Sequence, residues 1–310
     1  MTTNTAVTEP QVLPAGLGAR GIDHLVVAVN DLDAGRDVWQ ALGFTLTPRA
    51  QHPWGTANHL AQLDHSFVEL LGLDDAAKIK PAGRNGFSFG AFNRDFLKKH
   101  QGASMLVLES TDADADIADF AAAGLDTFSR FDFERMAGQP GGGQARVAFS
   151  LAFTRPTALK TAGFFTCQNH EPEHFWHAEW QRHANSAVGI DEVTLVAPDP
   201  ADYHIFLSRF TGVREIRASS SGISIATPRG RVAVVTPVAF RYLYGEDSLA
   251  VVPKTLEIRG ITFAVADFGQ SAAALVAGGL KVADRHDRLL VGPAAALGLA
   301  VAFKAEARTN

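Results

Sequence analysis

Side chains equipped for chemistry are few in this sequence and unevenly placed. His170, His174 and His177 fall at i,i+4 and i,i+3 spacing, which on a helix would line three imidazoles along one face and could seat a zinc ion. They lack the His-Glu-x-x-His order of a metalloprotease, and Glu173 stands four residues before His177, where a helix-surface pair forms. Surface or interface groups beside Trp176 and Trp180 are therefore the expected reading. The single cysteine, Cys167, adjoins Gln168 in an aromatic stretch with no base beside it, and so reads as a small buried apolar side chain rather than a nucleophile. His52, Asn58 and His59 lie at or before the start of a strand-like run, where loop polar groups can touch a ligand. Gly141 to Gly143, after Pro140, form a flexible loop; no Lys-Ser or Lys-Thr follows, so the glycines do not cradle phosphate. Phenylalanines number 21 against 3 tyrosines. Two clusters, Phe87, Phe89, Phe92, Phe96 and Phe128, Phe131, Phe133, are expected in loops or strand edges of the first half, some lining an apolar cavity suited to a small aromatic or hydrophobic ligand.

The scaffold that must position these groups is one unit written four times. Each copy reads as an apolar strand, an Asp at its end, an amphipathic helix, and a glycine that opens the next strand. The strands begin at Ile22, Met105, Ile190 and Ile261, and the Asp and Gly pairs are Asp31 and Gly43, Asp112 and Gly124, Asp199 and Gly212, Asp267 and Gly279. Three of these spacings are equal and the third copy is one residue longer, which fits three helical turns with an Asp cap at one end and a chain-reversing glycine at the other. Gly21-Ile22-Asp23 and Gly189-Ile190-Asp191 repeat at an offset of 168 residues, as do Asp31 and Asp199. One half of the chain therefore duplicates the other. About three further strand-like runs follow each glycine, and Glu171 to His183 reads as a helix bridging the halves.

Composition narrows the function classes. Of 310 residues, 46% are apolar and 20% charged, and the net charge is −5 with no basic run, so a nucleic-acid surface is not expected. One cysteine excludes an internal disulfide and suits a reducing compartment. Residues 1–20 have neither the basic start nor the unbroken apolar core of a signal or anchor and are expected as a flexible arm. The longest apolar stretch, Pro293 to Phe303, is too short to span a bilayer. A cytoplasmic protein without a membrane partner is the expectation.

A strand-helix-three-strand unit repeated in pairs resembles the vicinal oxygen chelate superfamily of glyoxalases, extradiol dioxygenases and bleomycin-resistance proteins, and within it the two-half glyoxalase-like domain proteins. Asp23-His24-Leu25-Val26-Val27-Ala28-Val29, Leu42-Gly43-Phe44, Gly55-Thr56-Ala57-Asn58 and Phe67-Val68-Glu69-Leu70-Leu71 carry the resemblance, with Phe164 to Gln168 and Glu179 to Asn185. It implies an α+β fold: four βαβββ modules in two pairs, each pair a curved mixed β-sheet half-barrel with helices outside. The first glyoxalase-like domain is expected over residues 21–170, a linking helix over 171–186, and a second, degenerate domain over 187–310.

In such folds ligands come from the start of the opening strand and from the last strand of each unit. Seven residues before each capping Asp stand His24, Met105, Glu192 and Gly260; the last strands offer Glu69 and Gln168 in the first half, and only apolar or hydroxyl side chains in the second. The resemblance thus implies a first-half cup in which His24, Glu69 and Gln168 hold a divalent metal, zinc, nickel, manganese or iron, as a Lewis acid. His24 and Glu69 are the catalytic candidates, Glu69 also as a general base, and Asn58, His59, Met105 and Gln168 the substrate-binding ones. The expected activity is lyase or isomerase chemistry on a small carbonyl or vicinal-oxygen compound. Two alternatives stand: a protein that sequesters a hydrophobic small molecule without turning it over, and an extradiol-type ring-cleaving dioxygenase, which needs two histidines and a carboxylate on iron and would draw its second histidine from His52 or His59. The second half would serve packing or homodimerisation.

Overall fold

A computed structural model describes residues 18–156, 159–285 and 287–306. Among the described residues there are six α-helices and seventeen strands. The first half runs β1 (Ile22–Ala28), α1 (Leu32–Ala41), β2 (Ala50–Gln51), β3 (Thr56–Gln62), β4 (Phe67–Leu73), α2 (Phe89–Leu97), β5 (Gly102–Glu109), α3 (Ala113–Ala122), β6 (Asp126–Thr127), β7 (Phe131–Gly138), β8 (Gln144–Arg155) and β9 (Gly163–Asn169). The second runs β10 (Ala187–Val196), α4 (His204–Thr211), β11 (Arg217–Ser219), β12 (Gly222–Ala226), β13 (Arg231–Val235), α5 (Pro237–Tyr244), β14 (Glu257–Val265), α6 (Phe268–Ala277), β15 (Val282–Arg285), β16 (Arg288–Val291) and β17 (Ala300–Ala305).

The four capping aspartates do what their spacing requires. Asp31, Asp112 and Asp267 accept backbone N–H bonds from the first turns of α1, α3 and α6, and Asp199 caps the 3-10 turn Pro200–Tyr203 that leads into α4. Each such cap contributes about 1 kcal/mol. Gly43, Gly124, Gly212 and Gly279 all take positive φ, between 71° and 87°, a backbone region that glycine enters without strain.

Two open mixed sheets result. The first is ordered β2-β3-β4-β1-β5-β9-β8-β6 with β7 paired to β8, and the second β11-β12-β13-β10-β14-β17-β16-β15. In each the two modules join through antiparallel opening strands, β1 with β5 and β10 with β14, while each opening strand lies parallel to the last strand of its own module. Modules therefore pair within one chain. Strand alternation separates two faces. Leu25 and Val27 of β1, Val193 and Leu195 of β10, Trp39 of α1, Phe120 of α3, Phe210 of α4 and Leu275 of α6 enter one shared hydrophobic core. The opposite face of the first sheet carries an aromatic-rich cluster including Phe67, Phe149, Phe153 and Phe165. That of the second sheet carries a smaller cluster built around Phe240 and Tyr244 of α5.

The α+β class, the module count and the two mixed sheets match the sequence expectation, and three details differ. Residues 171–186 hold only a one-turn 3-10 helix, Pro172–His174. Groups that a helix would use internally go elsewhere: the His174 carbonyl accepts from Gln139 Nε2, His177 N donates to Gln62 Oε1, and the Phe175 carbonyl accepts from Gln62 Nε2. Phe89, Phe92 and Phe96 lie on α2, capped by Ser88, rather than in a loop or strand edge. Residues 1–17 of the expected arm fall outside the described residues, whereas Arg20 is buried and pairs with Asp116 and Asp119. No described helix is long and apolar enough to cross a membrane.

The halves meet most tightly at Gly278, which follows α6: a Cβ there would lie 1.9 Å from the carbonyl oxygen of Ala41 in α1. Its φ of −73° suits any residue, so the constraint is contact rather than conformation. Gly278→Ala is expected to cost about 1–3 kcal/mol by overpacking, read as a lower urea midpoint; an unchanged midpoint would show that α1 and α6 are free to separate.

Candidate active site in the first cup

Because side chains alternate along a strand, His24 and Val26 of β1 face away from the shared core, as do Asn58 and Leu60 of β3, Phe67 and Glu69 of β4, and Phe165 and Cys167 of β9. The parallel register of β1 and β4 pairs His24 with Phe67 and Val26 with Glu69, which brings imidazole and carboxylate to the same concave face. They enclose a cavity of about 40 Å³, room for a few water molecules. Its wall is completed by His52 and Trp54 ahead of β3, Phe89 of α2, Phe133 and Arg135 of β7, Phe149 and Leu151 of β8, and Phe175.

Glu69 is the centre of this wall. It is 6% exposed. Its Oε1 accepts from Asn58 Nδ2 at 2.7 Å and lies 3.7 Å from His52 Nε2, while its Oε2 lies 3.9 Å from His24 Nε2. Burial pushes its carboxyl above the ordinary range, against the opposing pull of His24, Asn58 and Arg135. Both imidazoles are held from behind. Nδ1 of His24 meets Asp23 Oδ2 at 2.5 Å, and the ring stacks on Phe67 with centroids 4.2 Å apart. Nδ1 of His52 meets Thr56 Oγ1 at 2.8 Å, and the ring stacks on Trp54. Loss of solvation, then the charge of Arg135, lowers His52 to about 3, so it is neutral. The hydrogen-bond network assigns its tautomer: Nδ1–H donates to Thr56, and Nε2 accepts from Asn58 Nδ2 at 3.3 Å.

The expected site residues thus divide. His24, Glu69 and Asn58 converge. Gln168 does not: it lies one residue past Cys167, on the opposite face of β9, where Oε1 accepts from Ala113 N and Nε2 donates to the Thr111 carbonyl. It braces the start of α3 and is neither a ligand nor a substrate contact of this cavity. His59 turns away by the same parity, with Nδ1 at 2.8 Å from the Thr47 carbonyl. Met105 faces the cup side but is fully buried and packs against Gly163 of β9, where a Cβ would lie 2.7 Å from Met105 Cγ; it is floor, not wall. His170, His174 and His177 bond separately to Ser150 Oγ, the Arg146 carbonyl and the His174 carbonyl. His183 and Asn185, in a stretch that carried the family resemblance, are structural: His183 binds the Gln62 carbonyl and Thr45 N, and Asn185 Nδ2 donates to the Leu42 carbonyl.

Sequence reasoning missed Arg135, Trp54 and the central place of His52. Alternation along Phe131 to Gly138 puts Phe131, Phe133 and Arg135 on one face, a signal the sequence offers. Among the described residues no three His, Cys, Asp or Glu side chains are close enough together to chelate an ion as they stand. The donor types nonetheless suit a divalent cation: two imidazole Nε2 atoms and a carboxylate, each ring fixed by a partner on Nδ1, the usual outer-shell support of a metal ligand. Ligands about 2.1 Å from a common ion lie about 3–3.5 Å from one another; the two imidazoles stand 3.7 and 3.9 Å from different oxygens of the Glu69 carboxylate, so an ion would have to draw them closer.

The second cup shows what the first would be without its acid. At the offset of 168 residues, the register that places Val26 against Glu69 places Thr194 against Ala233. The stacked His24 and Phe67 become the ion pair of Glu192 with Arg231, 2.8 Å apart, and Met105 becomes Gly260. That glycine admits Tyr244, whose ring carbon Cζ would lie 2.8 Å from a Cβ there, and the Tyr244 hydroxyl bonds Thr194 and Thr262.

A family model described as a glyoxalase-like domain matches residues 22–211. No curated protein matches by sequence. Among solved structures, a hypothetical protein from Staphylococcus aureus superposes with a TM-score of 0.66 at 12% identity, over 93% of this chain and 100% of that one. The Mn(II)-bound glyoxalase from Novosphingobium aromaticivorans gives 0.51 at 15% identity, over 94% and 83%. A triple mutant of 4-hydroxymandelate synthase from Streptomyces coelicolor gives 0.52 at 11% identity, over 94% of each chain. At these identities the likeness to the solved structures is one of fold.

Cys167 lines the cavity, and burial, followed by the charges of Asp23 and Glu69, pushes its thiol well above the ordinary value. The thiolate needed for attack is therefore withheld. In native protein Cys167 is expected to resist a thiol-specific disulfide reagent at pH 8, and to react at the ordinary rate once the chain is unfolded. Rapid reaction in the native state would overturn the apolar reading.

Proposed function

The chain belongs to the glyoxalase-like domain family, and on that premise we propose that the first cup is the active site of an enzyme acting on a small carbonyl or vicinal-oxygen compound. His24, His52 and Glu69 are its divalent-metal ligands. The single observation that carries this reading is the Glu69 carboxylate, buried in an aromatic wall with an Nε2 of a separately anchored imidazole on each side. When bound, the ion supplies Lewis-acid polarisation of a substrate oxygen on which charge develops.

The chain's own residues do the rest. Asp23 orients His24 and strengthens it as a donor, while His52, held neutral, presents a lone pair rather than a competing proton. Asn58 fixes one carboxylate oxygen of Glu69 and leaves the other toward His24, so Glu69 either holds the ion or takes a proton from carbon next to a carbonyl. Phe67, Phe133, Phe149 and Phe165 exclude bulk water and strengthen every electrostatic contact inside. The arrival of His52 at Glu69 also favours a second reading, ring cleavage on iron, because two histidines and one carboxylate are the set that chemistry uses. Dioxygen separates the two: the isomerase or lyase reaction proceeds without it, and ring cleavage consumes it.

Protein purified without chelator is expected to carry about one equivalent of a transition metal by elemental analysis. His24→Ala, His52→Ala and Glu69→Gln should each lower that content at least tenfold, and Gln168→Ala should leave it unchanged. Metal-free protein that binds a small hydrophobic ligand equally well after Glu69→Gln would instead establish sequestration without turnover.

A further inference from the structure

Three buried polar atoms around the first cavity have no hydrogen-bond partner: Nε of Arg135, Nε1 of Trp54 and Oδ1 of Asn58. An unpaired buried polar atom is costly, and the three belong to residues that line one small cavity, where a complementary molecule would satisfy them. Two are N–H donors, one of them on a guanidinium. The third is an acceptor, because both Asn58 N–H groups are already given to Glu69 and His52. Among the described residues no carboxylate forms an ion pair with Arg135; Glu69 acts on it only at longer range. A planar guanidinium in an apolar wall is built for a carboxylate.

We propose that Arg135 and Trp54 anchor the carboxylate of a small organic acid in this cavity, and that Asn58 Oδ1 accepts a hydrogen bond from a hydroxyl of the same molecule. The substrate class of the site is then a hydroxy acid whose apolar body lies against Phe133, Phe149, Phe165 and Phe175. This inference rests on the first cup being the active site. Arg135 also lines an adjoining cleft with Thr47, Gln62 and Trp180, so its side chain is the partition between cavity and cleft. On this proposal a molecule larger than a few waters is admitted by displacement of this side chain toward the cleft.

The test is calorimetric titration of the full chain, metal-loaded and chelated, with acetate, isobutyrate, benzoate and the corresponding amides, and with lactate against propionate. We expect isobutyrate and benzoate to bind at least tenfold more tightly than their amides, and lactate more tightly than propionate. Arg135→Met should abolish the preference for acid over amide, and Arg135→Lys should retain part of it. Circular dichroism confirms folding; if Arg135→Met does not fold, Trp54→Phe carries the test in chelated protein, with weaker acid binding expected. Equal binding of acid and amide, or no binding of any acid, overturns the proposal. So does a preference that survives Arg135→Met but vanishes on chelation, which would put the carboxylate on the metal and leave the metal reading intact. A preference that persists in protein unable to take up metal would support the anchor and remove the metal reading instead. Lactate and propionate binding alike would overturn the role given to Asn58.

Discussion

An acidic side chain placed inside an aromatic wall sets what the rest of the first cup must supply. Removing Glu69 from water is expensive, and what offsets part of it is a set of polar groups drawn from separate stretches of chain: His24 from β1, Asn58 from β3 and the charge of Arg135 from β7. A buried charge is tolerated only where such partners are held rigidly. Both imidazoles beside it are themselves tied down, His24 by Asp23 and Phe67, His52 by Thr56 and Trp54. Rigidity here serves the acid first and any bound molecule second.

Duplication makes the cost visible, because the second half keeps the strand order of the first without a counterpart of β7 and has no acid at this position. With alanine at the position of Glu69 there is no charge to compensate, and the strand that opposes it has lost its side chain as well. Phe240 and Tyr244 of α5 pack on that face, and the Tyr244 hydroxyl bonds Thr194 and Thr262. Burial holds that Tyr244 hydroxyl up at about 12, so it stays neutral. One scaffold thus supports two solutions: a polar cluster with room beside it, or a plug.

Much of this was legible in the residues. The Asp and Gly punctuation marked four helices because capping and chain reversal are local requirements, satisfied within a few residues wherever the fold takes the chain. The pairing of His24 with Glu69 followed from the family resemblance, which puts ligands on the opening and last strands of a module. Gln168 failed by a single position: on β9 the face alternates, and the neighbouring Cys167 rather than Gln168 points into the cup. The bridging stretch failed because its helical spacing of His and Trp competes with tertiary hydrogen bonds from Gln62 and Gln139, which no local pattern announces. Arg135 shares a face with Phe131 and Phe133 by alternation, but only the fold shows that this strand closes over a cavity.

The shared core behind the sheets ties the fate of the two halves together. Strands from both halves and the helices α1, α3, α4 and α6 bury their apolar faces in one continuous interior, so neither half owns a complete inner lining. Either half taken alone would expose the apolar backs of its own strands and helices to water, so the second half has structural work whatever its own cup does.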